Sequence, residues 1–160
     1  MSALEDKVKE LEETLDKYET EKAGLPNRKQ LQAPKYLYMS IDELRKKTPD
    51  ELAEAAYELS LYSFELDRLI NAEKARERWA KAKLDEFTAL YLEDVGSGYG
   101  WNERILIAKH KPEACQLLNS FIRDVEMKLS RLYGIPKHIE IISKCIDNLR
   151  FIAFKREKGE

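Results

Sequence analysis

Thr48-Pro49-Asp50-Glu51-Leu52 opens the stretch TPDELAEAAYELSLYSFELDRLINAEKARERWAKAKLDEFTALYLE, residues 48–93, whose reading decides the fold. A capping threonine, a proline at the first helical position and two acids in the first turn mark a helix start. After Pro49 there is no glycine or proline until Gly96. The stretch therefore permits one helix of about 45 residues, about 65 Å long at its usual rise. Leu59, Tyr62, Leu66, Leu69 and Ile70 share one face of it, and Leu84, Phe87 and Tyr91 return to that face. Between them the same face carries Glu73 and Glu77. The middle of the helix is therefore expected to project away from the hydrophobic core.

Helical signals continue on both sides. Leu4, Val8, Leu11, Leu15 and Tyr18 alternate steps of four and three, the spacing of a coiled-coil seam. The seam is too short to stand alone and needs a partner helix, from this chain or another copy. Gly24-Leu25-Pro26-Asn27 ends it. A linker with Pro26 and Pro34 leads to Tyr36-Leu37-Tyr38-Met39. Ser40 with Glu43 three residues on forms a capping box for a short helix ending near Lys46 and Lys47. Beyond the long helix, Asp94 to Trp101 read as a glycine-rich loop. Further helices are expected over 112–133 and 136–156, with Gly134 and Pro136 between them. Ile139, Ile142, Ile146, Leu149 and Ile152 form the stripe of the last one. Only Tyr36–Met39 and Ile105–Ile107 hint at strand alternation. The expected fold class is all-α: a long-helix bundle with an N-terminal coiled-coil segment, oligomeric. The expected divisions are a coiled-coil helix at 1–24, a linker with a short helix at 25–47, and a helical core domain at 48–160.

The 160 residues are 43% hydrophobic, enough to build a core, and 36% charged, well above ordinary usage. With only 6 glycines and 5 prolines, this composition fits long solvated helices. The net charge of -2 gives no overall basic signature, but the charge is segregated. Residues 1–22 hold Glu5, Asp6, Glu10, Glu12, Glu13, Asp16, Glu19 and Glu21 against four lysines. Residues 68–84 hold Arg68, Lys74, Arg76, Arg78, Lys81 and Lys83 against Glu73 and Glu77 on the same helix. The basic segment thus coincides with the interrupted stripe. Ala75, Trp79 and Ala82 line a narrow seam there, flanked by Lys74 and Arg78 on one side and Arg76 and Lys83 on the other. Cations that neutralise phosphates, set around a ring that can stack on a splayed base, suit single-stranded nucleic acid. A solvated face, or a contact between subunits, is the plainer reading of the same residues.

A second set of residues carries a resemblance. Lys81-Ala82-Lys83-Leu84-Asp85-Glu86-Phe87 resembles the Lys-Ala-Arg-Leu-Asp-Tyr-Tyr segment of the UvsY-like recombination mediators of tailed phages. That segment also closes a long basic helix before a glycine-containing loop. Leu61-Tyr62-Ser63 matches a Leu-Tyr-Ser earlier in the same helix. Gly134, Lys137-His138-Ile139 and Leu149-Arg150-Phe151 are similar to the family's closing helix pair and its basic-aromatic tail. The likeness spans about residues 50–155. It implies that Lys81 and Lys83 contact single-stranded DNA. Lys83 stands where the family has arginine and so lacks a bidentate phosphate fork. On a straight helix the two side chains point about 160° apart, so one strand reaches both only if neighbouring subunits supply a second surface. The resemblance further implies a ring-like homo-oligomer that helps load a RecA-like recombinase onto strands covered by single-strand-binding protein. The acidic N-terminal helix is an addition to the family's shorter pattern.

Weaker signals surround this one. Gly96, Gly98 and Gly100 follow no strand and lack the Lys-Ser/Thr of a phosphate-binding loop. Tyr99, Trp101, Lys109 and Lys111 form a possible secondary DNA contact, with exposed polar residues as the plainer reading. Arg150, Lys155, Arg156 and Lys158 favour the end of a helix dipole and could add a further phosphate contact. His110 and His138 have no ligand spacing, and Cys115 and Cys145 read as free thiols. No catalytic constellation, metal site or cofactor motif is present in the sequence, so an enzyme is not expected. No signal peptide or transmembrane-length apolar run is seen, and the expected location is the cytoplasm, that of the host if the chain is phage-encoded. The expected function is thus a DNA-binding recombination mediator. The rival is a helical coiled-coil adaptor that binds other proteins without nucleic acid.

Overall fold

The computed structural model describes residues 3–21, 23–25 and 33–159. Among them the chain is mostly helical, with no strand: α1 (Ala3–Glu21), a 3-10 turn (Lys35–Tyr38), α2 (Ile41–Leu44), α3 (Pro49–Leu92), α4 (Trp101–His110), α5 (Glu113–Leu132) and α6 (Ile135–Lys158). The all-α class follows directly. No helix among the described residues is long and apolar enough to cross a membrane.

Local chemistry sets the boundaries. Ser40 and Glu43 form the reciprocal capping box of α2, with the Ser40 amide donating to the Glu43 carboxylate at 2.7 Å. Thr48 repeats the device for α3. Its hydroxyl accepts from the Glu51 amide at 3.2 Å, and its own amide donates to the Glu51 carboxylate at 2.9 Å. These bonds use helix-end amides that have no partner inside the helix. The Glu51 carboxyl is held below its ordinary range, chiefly by the hydrogen bond from Lys47 and then by the Thr48 amide. After α1, Gly24 takes φ 62°, and the amides of Ala23 and Leu25 reach back to the carbonyls of Tyr18 and Glu19. Pro26 and Asn27 lie outside the described residues. Gly134, at φ 89°, turns the chain from α5 into α6, a conformation that suits a residue without Cβ.

The described chain falls into two compact units, each built from stretches remote in sequence. One combines residues 28–70 with 132–160. Its core is Tyr36, Leu44, Leu52, Ala55, Leu59, Leu66, Ile139 and Ile146, with Tyr62, Ile142 and Leu149 packed around them. The small Ala55 and Ala56 let α6 approach α3 closely enough for the Ser143 hydroxyl to donate to the Ala56 carbonyl at 3.4 Å. The apolar segment 36–39 docks here as a 3-10 turn and α6 supplies the facing stripe, so the brief strand hint in that segment gives way to a helical turn. Tyr57, Leu61 and Phe64, at helical spacing on α3, remain exposed.

The other unit combines residues 1–27 with 71–131. Ala80, Leu84, Cys115, Leu118 and Ile122 form its core, with Trp79, Phe87, Tyr91 and Phe121 against it. The stripe of α5 is the clearest in the chain, with Cys115, Leu118, Ile122 and Val125 all buried. On α1, Val8, Leu11 and Leu15 are half-buried and Tyr18 is exposed. The side chain of Leu4, the first residue of the expected seam, lies outside the described residues.

The middle of α3 does not project from the core as the sequence suggested. Ala72, Glu73 and Ala80 are buried. The interrupted stripe is covered because small alanines admit close neighbours and because the glutamate is met by an arginine.

The two thiols differ in environment. Cys115 is fully buried and its pKa is raised, above all by desolvation, whereas Cys145 is exposed. A thiol reagent added to the native protein should attach one label, at Cys145, and a second only after denaturation. Intact mass checks this.

Candidate nucleic-acid interface

The basic segment of α3 divides into two groups of side chains. Arg76 and Trp79 serve packing. The Arg76 guanidinium pairs with the buried carboxylate of Glu73, one turn back, and with Glu12 of α1 at 2.7 Å. The Glu73 side chain is 5% exposed, and its second oxygen has no hydrogen-bond partner among the described residues. The arginine therefore neutralises a buried acid and ties α1 to α3. The Trp79 ring packs edge-on against Phe121 of α5, centroids 6.4 Å apart at 83°, and is half-buried. It does not stand clear as a stacking platform. Ala75 is half-buried and Ala82 exposed, while Ala80 is the alanine fully enclosed.

Arg78, Lys81 and Lys83 form the second group, and they reach solvent. Arg78 is exposed and makes no ion pair among the described residues. Lys81 is 49% exposed and donates to Glu77 on its own helix and to Glu126 of α5, the latter at 2.9 Å. Hydrogen bonds to Glu77 first and Glu126 second hold its ammonium above the ordinary lysine range, so it stays charged. Lys83 is 40% exposed and pairs with Glu86 at 2.6 Å. Lys74 is half-buried. These cations stand in the sequence as a run along one helix. Their acidic partners on α1 and α5 carry no signal in the local sequence.

Downstream, the possible secondary contacts separate. Trp101 is 62% exposed at the first turn of α4, a helix the sequence reading took for loop and brief alternation. Tyr99 and Lys111 meet at a cleft of about 390 Å³, also lined by Tyr91, Asp94, Val95, Gly96, Ile107, Ala108 and Pro112. Lys109 is half-buried and points its carbonyl at the Asn119 side-chain amide, 2.9 Å away. The loop forming one wall of the cleft is pinned by Arg104, whose guanidinium donates to the carbonyls of Leu92 at 2.9 Å and Val95 at 3.2 Å.

A third aromatic-basic surface lies at the end of α6. Phe151 and Phe154 are exposed, with the Lys155 ammonium 4.9 Å from the Phe151 ring centre and that of Lys158 4.5 Å from Phe154. Sequence reading named the cations there and Phe151, as part of a basic-aromatic tail, and passed over Phe154. The signal that could have found it is spacing, each ring four residues before a lysine.

Among the described residues, no group of three or more histidine, cysteine or carboxylate side chains is placed to hold a metal ion. Fold and site define an all-helical protein with a partly exposed basic segment on its longest helix. No protein-family model matches the chain, nor does any curated protein or solved structure.

Proposed function

We propose that the chain is a non-enzymatic recombination mediator: a homo-oligomer that holds single-stranded DNA and helps a RecA-like recombinase load onto strands covered by single-strand-binding protein. The resemblance over residues 50–155 suggests the reading. One geometric observation supports it: Arg78, Lys81 and Lys83 all reach solvent from one uninterrupted helix, and the acids holding the two lysines include exposed ones, Glu86 and Glu126. Exposed ion pairs are worth little in water. A phosphate can therefore replace a carboxylate at each lysine with little loss. Each contact is modest, and repetition around an oligomer would combine them through effective concentration. The exposed row Tyr57, Leu61 and Phe64 offers such an assembly an apolar surface.

The test is polarisation of labelled single-stranded DNA at two salt concentrations, with sedimentation of the same sample. The proposed protein sediments as an oligomer and binds with a steep salt dependence. Lys81→Ala combined with Lys83→Ala then flattens the slope of log affinity against log salt by roughly 1.4, from two phosphates at about 0.7 each. Unchanged affinity and slope in that variant would remove the two lysines from the site.

The adaptor reading is favoured by a different observation. Arg76, Lys81 and Lys83 are neutralised within the chain by Glu12, Glu73, Glu77, Glu86 and Glu126. An oligomer that binds no DNA at either salt concentration would establish that reading instead.

A further inference from the structure

The cleft between the end of α3 and the end of α4 lies apart from the basic segment, and its chemistry is that of a base-binding site. Three kinds of group converge on it. Tyr91 and Tyr99 supply aromatic rings, with Val95, Ile107 and Pro112 as apolar walls. Asp94 supplies a carboxylate, an acceptor only. Lys111 supplies a cation at the rim, with Lys109 and His110 next to it in the chain. At about 390 Å³ the cleft sits at the small end of the usual range for ligand sites, roughly 300–1,000 Å³. That is room for one base and its sugar and too little for a duplex.

The walls are held in place. Phe87 and Tyr91 lie side by side, centroids 6.5 Å apart at 31°, which sets the Tyr91 ring at the end of α3. The Asp94 amide donates to the Tyr91 carbonyl at 3.1 Å, and Arg104 fixes the carbonyls of Leu92 and Val95. The Lys111 amide donates to the Ile107 carbonyl at 2.9 Å, continuing α4 to the rim. Tyr99 is 51% exposed, so its side chain is accessible to a partner.

We infer that this cleft takes one unpaired base of a bound single strand. The base lies against the tyrosine wall, Asp94 accepts from its amino or ring N–H groups, and Lys111 meets the adjoining phosphate. Bases with an exocyclic amine satisfy Asp94 better than thymine, whose edge offers fewer donors. The inference rests on the proposed binding of single-stranded DNA and adds to it a stacking position and a base preference.

The test uses the full chain and a single-stranded oligonucleotide carrying 2-aminopurine, whose emission falls on stacking, read together with polarisation. The variants are Tyr99→Ala, Tyr99→Phe and Asp94→Asn, with circular dichroism to check helix content. The expected result is quenching with the natural chain, loss of the quench and at least about fivefold weaker binding in Tyr99→Ala, and recovery in Tyr99→Phe. Asp94→Asn should reduce the preference for oligo-dA over oligo-dT while leaving the salt slope unchanged. Binding and quenching equal to the natural chain in Tyr99→Ala would overturn the cleft while leaving the α3 lysines standing. Absence of any binding by the natural chain would overturn both readings at once.

Discussion

Arg76→Ala is expected to destabilise the protein by about 3 kcal/mol, far more than the loss of Lys81 or Lys83, whose ion pairs reach solvent. The guanidinium is the partner of a glutamate side chain that is only 5% exposed, and one oxygen of that carboxylate already lacks a hydrogen bond among the described residues. Removing the arginine leaves a buried charge with neither neutralisation nor solvent. It also releases Glu12, and with it one tie between α1 and α3. Urea unfolding followed by circular dichroism measures the loss. Two comparisons decide the cause. Lys83→Ala, whose pair is exposed, should move the midpoint very little. Arg76→Met combined with Glu73→Leu should recover most of the stability, because replacing both charges removes the unpaired acid. A double variant as unstable as Arg76→Ala would mean that the arginine acts through Glu12 instead.

Leu59→Ala should cost about 3 kcal/mol, within the 2–5 kcal/mol typical of deleting a buried leucine. Leu59 has no exposed surface and lies in the core shared by α3, α6 and the docked 36–39 segment. Its neighbours Leu52, Leu66, Ile139 and Ile146 sit on two helices joined by further close packing, so the void would close only in part. Leu61→Ala, two residues on and 47% exposed, is the control and should be nearly neutral for folding. If the apolar row with Tyr57 and Phe64 covers a neighbouring copy, that same control should instead shift the sedimentation profile.

Much of the helix framework could be read from the residues. Pro49 and the capping Thr48 marked the start of α3, because a missing N–H and a side-chain acceptor act on the backbone next to them in the chain, and the glycines after Val95 marked the loop beyond its end. The stripe of α6 was legible for the same local reason over Ile139, Ile142, Ile146 and Leu149, whereas Ile152, expected on it, is exposed because the buried core ends before the last turns. The short helix α4 was not legible. Its ten residues are apolar and polar on all sides, so Ile105–Ile107 imitates alternation, and what holds the helix is the burial of Ala108 and the reach of Arg104 back to the preceding loop. The buried middle of α3 was hidden too. A helical wheel shows Glu73 breaking a stripe, and it cannot show Arg76 bent back to neutralise it or Glu12 arriving from α1. The basic site is therefore half legible: the cations and the acids one turn away, Glu73 and Glu77, stand in the local sequence, whereas Glu12 beside Arg76 and Glu126 beside Lys81 come from distant helices. Trp79 illustrates the same limit, since only Phe121 across the core turns it from a free ring into a packed one.

Arg104 also joins two events that would otherwise be separate. The last carbonyls of a helix normally fray toward water independently of whatever follows. Here a side chain of the next helix holds Leu92 and Val95 together, so unwinding of the final turn and release of the glycine-rich segment must occur in one step. Amide protons from Leu92 to Arg104 should then exchange with deuterium as a single block.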